Sequence, residues 1–474
     1  MSALQFYNSL TRQKEAFIPR EPGKIGMYVC GMTVYDYCHI GHARVMVVFD
    51  TIARHLRALG YELHYVRNIT DIDDKIIARA AENGEPIAAL TERFTAAMHE
   101  DEAALGCLPP DEEPRATDAV PGMIALIETL IKKGHAYAAD NGDVYYAVRS
   151  FPGYGKLANR SLDDLRAGER IAVNEAKKDP LDFVLWKAAK AGEPAWDSPW
   201  GAGRPGWHIE CSVMSAAALG EHFDIHGGGM DLKFPHHECE IAQSEGACGH
   251  QHVNYWLHNG FVQINDEKMS KSLGNSLTVE AVAREVPPVI LRFALGTVHY
   301  RSTVAYSPAT LAEAQAVWDR LAGFVARAAE AEEIGLDEVA SLGPDRLPAE
   351  FTAAMDDDLN VSGALAAVHD AVTKGNTALS ERDPGGVRRA QLEVRSMLDI
   401  LGLDPLSPQW RSGAGSGAVR KALDALVADM LERRAEARAA KDWATADAVR
   451  DSLAAAGVVV EDSPEGARWH VEGR

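Results

Sequence analysis

Three groups of residues in this 474-residue chain have the types and spacing that chemistry needs. The first is Cys30-Gly31-Met32-Thr33-Val34-Tyr35-Asp36-Tyr37-Cys38-His39-Ile40-Gly41-His42. His39 and His42 are three apart, so at the start of a helix both imidazoles fall on one face, beside free backbone N–H groups that favour phosphate. Gly41 lets the main chain pass close to a nucleotide. The second group, Lys268-Met269-Ser270-Lys271-Ser272-Leu273-Gly274-Asn275, sets two ammonium groups among hydroxyls in a turn-prone stretch. Such a loop can neutralise the charge that grows on the oxygen between two phosphates as pyrophosphate leaves. Either group alone is ordinarily a solvated turn; their pairing about 225 residues apart carries the argument.

The third group is dispersed. His236 and Glu240 are four apart in a stretch read as helix, so both project from one face. Cys30 follows an apolar strand, and Cys211 opens an apolar run to Leu219. Two thiolates, an imidazole and a carboxylate are ligand types that hold Zn²⁺. Cys239, three after His236, is a further thiol, either a ligand or a neighbour of the ligands. Cys38, Cys107 and Cys248 are read as structural, and the six cysteines lack the compact spacing of a disulfide scaffold.

These groups need elements to position them. Lys24 to Gly31 reads as a buried strand, followed by a helix with Val45, Val48, Phe49, Ile52, Leu56 and Leu59 at helical spacing, then a strand at Glu62 to Asn68. Strand, helix and strand predict a right-handed βαβ unit in a doubly wound parallel sheet, with ligands at the carboxyl ends of the strands. A comparable unit recurs late: a strand at Phe223 to His226 before Gly227, Gly228 and Gly229, a helix over Pro235 to Cys248, and a strand at Val253 to Leu257. The sheet is therefore expected to be split by an insertion with short β pieces at Asp143 to Val148 and Asp182 to Lys187. From Ser307 the pattern is helical, with further helices at Leu347 to Met355 and Ser362 to Leu379, and an acidic connector at Ala328 to Leu342. Pro405 to Gly417 has the composition of a flexible linker. Beyond it, Leu423, Leu426, Val427 and Met430 form one apolar stripe, Trp443, Ala446, Val449 and Leu453 a second, and Val458 to Val460 a strand. Trp443 is expected in the core.

Hydrophobic residues make up 46% of the chain and no apolar run approaches the roughly 20 residues of a membrane helix, which predicts a cytoplasmic globular protein. Its net charge of -21 speaks by itself against nucleic-acid binding. Between Arg420 and Arg450, however, seven Lys/Arg meet six Asp/Glu, so the tail is locally near neutral.

The paired nucleotide motifs resemble the HIGH and KMSKS signatures of class I aminoacyl-tRNA synthetases. With Trp207-His208-Ile209-Glu210-Cys211 and His226-Gly227-Gly228-Gly229, the likeness becomes one to the cysteinyl-tRNA synthetase family over nearly the whole chain. The resemblance implies activation of L-cysteine by ATP, with Mg²⁺, and transfer to tRNA(Cys) by a monomer holding one Zn²⁺. It implies that His39 and His42, with Gly41 and Ser270, bind ATP, and that Lys268 and Lys271 clamp the pyrophosphate. Its zinc ligands correspond to Cys30, Cys211, His236 and Glu240, where the family commonly has asparagine in place of Cys239. Gly31, Thr70, Trp207 and Asp231 match its amino-acid pocket, although Trp207 equally suits core packing. A zinc-bound thiolate gives cysteine an advantage over serine or alanine that a cavity, at about 1–3 kcal/mol per group, does not.

The implied organisation is a split Rossmann-type α/β fold. Its catalytic domain is expected at 1–116 and 206–265, interrupted by an insertion at 117–205 and followed by a lysine-loop and stem-contact region at 266–306. A helical bundle at 307–404 for the anticodon stem, a linker at 405–417 and an α/β anticodon-binding domain at 418–474 would complete it. Two alternatives are a ligase joining cysteine to an amino sugar, which lacks the tRNA-reading tail, and a catalytically silent synthetase-derived RNA-binding protein.

Overall fold

The computed structural model describes residues 4–167, 176–264, 267–268, 277–343, 346–440, 442–456, 458–463 and 466–471. Two compact units divide after Ser407. At the centre of the first is a four-stranded parallel sheet built from β1 (Lys24–Val29), β2 (Glu62–Arg67), β3 (Phe223–Gly229) and β4 (Val253–Asn259). Its order is β4-β3-β1-β2, so the early and late βαβ units meet at β3 and β1. There Val29 pairs with both Gly227 and Arg67, which brings three strand ends into one layer. Ile25, Met27, Tyr28 and Val29 are buried, as a strand covered on both faces requires. The late strands run further than their apolar residues indicate: β3 continues through three glycines and β4 through His258 and Asn259.

Helix α1 (Ile40–Ala58) follows β1 and is buried even at Arg44, Asp50 and His55. Arg44 is tolerated there because its guanidinium donates to the carbonyls of Val298, His299 and Tyr300. Helix α2 (Trp207–Leu219) packs against α3 (Glu238–Cys248). The expected helix over Pro235–Cys248 is shorter than its apolar pattern suggests. Residues Lys233–His237 form a wide turn with Phe234 extended at φ -144°, ψ 132°, and the regular helix begins at Glu238. Pro235 is the cause, since its ring disfavours helical backbone at the preceding residue.

The insertion carries an antiparallel sheet of the segments 136–138, 144–146, 183–188 and 203–205, preceded by an additional helix, Val120–Lys132. Pro121 and Gly122 at its start resemble a break, yet proline is favoured in a first helical turn. Helices Pro308–Ala331, Ala349–Asp356, Val361–Glu381 and Pro384–Ile400 build the bundle. The sequence signal for the last is hidden, because Pro384-Gly385-Gly386 masks a clear stripe of Val387, Ala390, Val394 and Met397. The acidic connector is partly core, with Ile334 and Val339 buried.

The second unit begins with a helix, Pro408–Ala439, so the segment read as a flexible linker at 405–417 is helical from Pro408 onward. Glycine costs only about 1 kcal/mol within a helix, and this one contains several alanines. Helix Trp443–Ala455 and the hairpin 458–463/466–471 complete the unit around Val427, Leu453 and Val458. Trp443 is 60% exposed and Leu426 64%, which corrects the expectation of a buried tryptophan. Trp443 is the first residue of its helix, where the stripe turns outward. The side chain of Leu423 lies outside the described residues. Among the described residues no helix is long and apolar enough to cross a membrane.

Candidate metal and nucleotide site

The carboxyl ends of the parallel strands deliver four donor groups to one buried point. Cys30 follows the last residue of β1, Cys211 lies in the first turns of α2, His236 in the turn before α3, and Glu240 one turn later in α3. Their ligand atoms lie within 4.8 Å of one another. Cys30 Sγ is 3.5 Å from Cys211 Sγ and 3.6 Å from Glu240 Oε1, and His236 Nε2 is 3.1 Å from the same oxygen. A tetrahedral site with bonds of about 2.0–2.3 Å has edges of about 3.3–3.8 Å, so these residues fit a zinc ion. The four-residue spacing of His236 and Glu240 brings them together, although only Glu240 is in regular helix.

Electrostatics favour a cation here. Burial would raise the Glu240 carboxyl, but His226 and His236 hold it well below the usual carboxylate range. Burial likewise opposes the Cys211 thiolate, yet the Cys30 thiol and His236 bring it down to about 6. Burial, reinforced by Cys211 and Glu240, pushes the Cys30 thiol far up. Burial disfavours charge on His236, but Glu240 and Cys211 raise it to about 10. A divalent ion would take the place of the protons on Cys30 and His236.

Neighbours orient these groups. His236 Nδ1 meets His208 Nδ1 at 3.0 Å, and burial and the charge of His236 lower His208 to about 3, leaving it a neutral acceptor. The Trp207 ring stacks on His236 at 4.2 Å between centroids while remaining 37% exposed, so Trp207 faces the site and is not core. His226 Nε2 bonds the other Glu240 oxygen at 2.8 Å. Cys239, the open case in the sequence, is outside the cluster: its thiol meets Tyr154 Oη at 3.3 Å.

Gly31 and Thr70 stand at the adjoining strand tips. Asn68 Oδ1 accepts the Gly31 N–H at 2.9 Å, its Nδ2 donates to Thr70 Oγ1 at 3.1 Å, and that hydroxyl donates to Glu210 Oε2 at 3.0 Å. A Cβ on Gly31 would lie 1.7 Å from the Asn68 carbonyl oxygen, so only glycine permits this approach. Asp231 is exposed in the turn after β3. Asn68 and His237 were missed as site neighbours; the doublet His236-His237 was the available signal for the latter.

His39 caps α1, and Gly41 lies within the first turn. His39 Nδ1 accepts the N–H groups of Gly41 and His42 at 3.1 and 3.2 Å, while His42 Nδ1 accepts the His39 N–H at 3.3 Å. This corrects one expectation: these amides are occupied by the histidine itself, so the stacked imidazoles, 3.6 Å apart, are what α1 presents. Leu277 and Thr278 run beside His39, with Leu277 accepting the Ile40 N–H, so the chain leaving the lysine motif returns to the first motif. Lys268 pairs by its backbone with Gln263, but its side chain, Ser270 and Lys271 lie outside the described residues.

Three family models match the chain: a class I (C) tRNA synthetase catalytic domain at residues 16–316, a DALR domain at 350–405 and a cysteinyl-tRNA ligase anticodon-binding domain at 420–469. A cysteine–tRNA ligase from Dichelobacter nodosus is 59% identical, covering 99% of this chain and 100% of that protein. One from Methylococcus capsulatus is 56% identical with the same coverage. Among solved structures, a Mycobacterium tuberculosis methionyl-tRNA synthetase in complex with methionyl-adenylate has a TM-score of 0.57 at 16% identity, covering 83% of this chain and 96% of that one. A likeness at that identity speaks for the fold alone.

Proposed function

The chain belongs to the cysteine–tRNA ligase family of class I aminoacyl-tRNA synthetases, and from this premise we propose that it selects its amino acid by a thiolate–zinc bond at Cys30, Cys211, His236 and Glu240. The ligase activates L-cysteine with ATP, releasing pyrophosphate, and esterifies the 3′-terminal adenosine of tRNA(Cys). The observation that carries the zinc reading is the convergence of four buried donor atoms at the carboxyl ends of the parallel strands. When bound there, zinc would lower the pKa of the substrate thiol and reward sulfur over a hydroxyl or methyl group.

The chain's own groups supply the rest. Gly31, Thr70, Trp207 and Asp231 border the cluster or its strand tips and would receive the amino-acid backbone, with Asn68 fixing the Thr70 hydroxyl. His39 and His42 would stabilise the phosphates of ATP, bound with Mg²⁺, by hydrogen bonds to the oxygens that gain charge. Lys268 and Lys271 would hold the departing pyrophosphate. No covalent bond to the enzyme is needed. The match of residues 420–469 to an anticodon-binding domain supports tRNA over an amino sugar as acceptor.

The test is cysteine-dependent exchange of pyrophosphate into ATP by the zinc-loaded chain, followed by charging of tRNA with radiolabelled cysteine. Exchange and charging that reject serine, with selectivity reduced in Cys211→Ser, support the reading. Unchanged selectivity in that variant removes the metal from it.

A further inference from the structure

A second set of donors meets in the same volume. Cys30, His226, His237 and Glu240 are all buried and offer ligand atoms within 4.8 Å of one another. Cys30 and Glu240 belong to both sets. The two carboxylate oxygens of Glu240 are turned apart, Oε1 to His236 Nε2 at 3.1 Å and Oε2 to His226 Nε2 at 2.8 Å. Cys30 Sγ is 3.5 Å from Cys211 Sγ and 3.3 Å from His237 Nε2, and His237 Nε2 is 3.9 Å from Glu240 Oε1. A shared thiolate and a carboxylate split between two partners form a pattern able to bridge two cations about 3.5–4 Å apart.

The orientation of His237 is a separate observation pointing the same way. Its Nε2 faces the cluster while Nδ1 bonds His258 Nε2 at 2.9 Å, and His258 Nδ1 meets Ser9 Oγ at 2.8 Å. A histidine is held as a metal ligand by just such a bond through its second nitrogen. His226 Nδ1, also buried, has no hydrogen-bond partner among the described residues, and the ring is held by stacking on Trp256 at 4.6 Å between centroids with Nε2 toward the cluster.

We propose that Cys30, His226, His237 and Glu240 form a second divalent-cation position, weaker than the first and sharing two of its ligands. The proposal rests on zinc occupying the first position. Two thiolates and one carboxylate leave a single zinc ion with net negative charge; a second ion reverses the sign, which makes it the weaker by roughly tenfold or more. With one sulfur and two imidazoles the donor set suits zinc, cobalt or nickel rather than calcium or magnesium. Because the second ion draws on Cys30 and Glu240, excess zinc would loosen the grip on substrate sulfur and inhibit activation.

The full chain loaded with one zinc would be dialysed against rising cobalt(II), and bound metal per chain read by elemental analysis and visible absorption. The expected result is a second ion, lost in His226→Gln and in His237→Asn while the first is kept. A plateau at one ion overturns the second position and leaves the first standing. A second ion that persists in both variants also overturns it, by placing that ion elsewhere. Absence of any tightly held ion overturns the first position and this one with it. Should a variant fail to fold, the wild-type chain filled with cobalt alone decides: magnetic coupling between two bridged ions is expected, and uncoupled spectra contradict the proposal.

Discussion

Two of the polar clusters buried in the first unit are built on opposite plans. Around Arg292 every charge is answered. The guanidinium donates to Asp50 Oδ2 at 2.5 Å, to Leu401 O at 2.9 Å and to Leu105 O at 3.0 Å, while Asp50 also accepts from Arg54 Nε and the Leu108 N–H, each at 2.8 Å. Gly402 has φ +68°, and any Cβ there would stand 2.0 Å from Arg292, so the backbone itself is fitted to the cluster. Around Glu240 the balance is different. Among the described residues its carboxylate bonds histidines and a thiol, with no guanidinium or ammonium group among those partners. A buried polar cluster answered by a permanent cation holds elements together; one whose donors share exchangeable protons instead is suited to a metal ion that replaces them.

The sharpest way to break this contrast is to remove a member of the complete cluster. Asp50→Ala leaves Arg292 buried without its carboxylate and is expected to destabilise the chain by about 3–5 kcal/mol, with or without zinc, in chemical denaturation. Burial would raise the Asp50 carboxyl, but Arg292, Arg54 and the Leu108 N–H lower it below the ordinary value. Its contribution to stability is therefore full above the unfolded-state pKa of about 3.9 and is lost as pH falls through the lower folded value. Wild-type chain should show that acid-dependent loss and Asp50→Asn should not.

The open cluster predicts the converse. Zinc at a thousandfold over its dissociation constant should stabilise the wild-type chain by about 4 kcal/mol, read as a thermal shift that grows with pH because binding releases protons. Cys211→Ser should lose most of that shift while its stability in chelator changes little. A smaller effect is expected at His208: His208→Ala deprives His236 of its acceptor and should weaken zinc about 10–100-fold in competition with a chelator. The smallest belongs to the second unit, where Trp443→Ala should stay within about 0.5 kcal/mol of wild type, because the ring is exposed.

The same contrast explains what was legible in the sequence. The βαβ halves were readable because buried parallel strands are short apolar runs and α1 repeats at helical spacing. Donor types were readable too, since Cys30, Cys211, His236 and Glu240 stand out chemically. What could not be read was local geometry created by contact. His39 turns its ring onto its own helix and occupies amides expected to be free. Pro235 delays the helix so that His236 reaches Glu240 from a turn. The helices starting at Val120 and Pro384 hid behind proline and glycine, which mark a first helical turn as readily as a break. Trp443 lies on an apolar stripe whose end is exposed.

The central claim, that substrate sulfur bonds a protein-held zinc ion, is tested most directly by X-ray absorption at the zinc edge of the singly loaded chain with and without cysteine. Two sulfur ligands, from Cys30 and Cys211, are expected alone and a third, at about 2.3 Å, when cysteine is added. A sulfur count that stays at two in the presence of saturating cysteine would contradict the account.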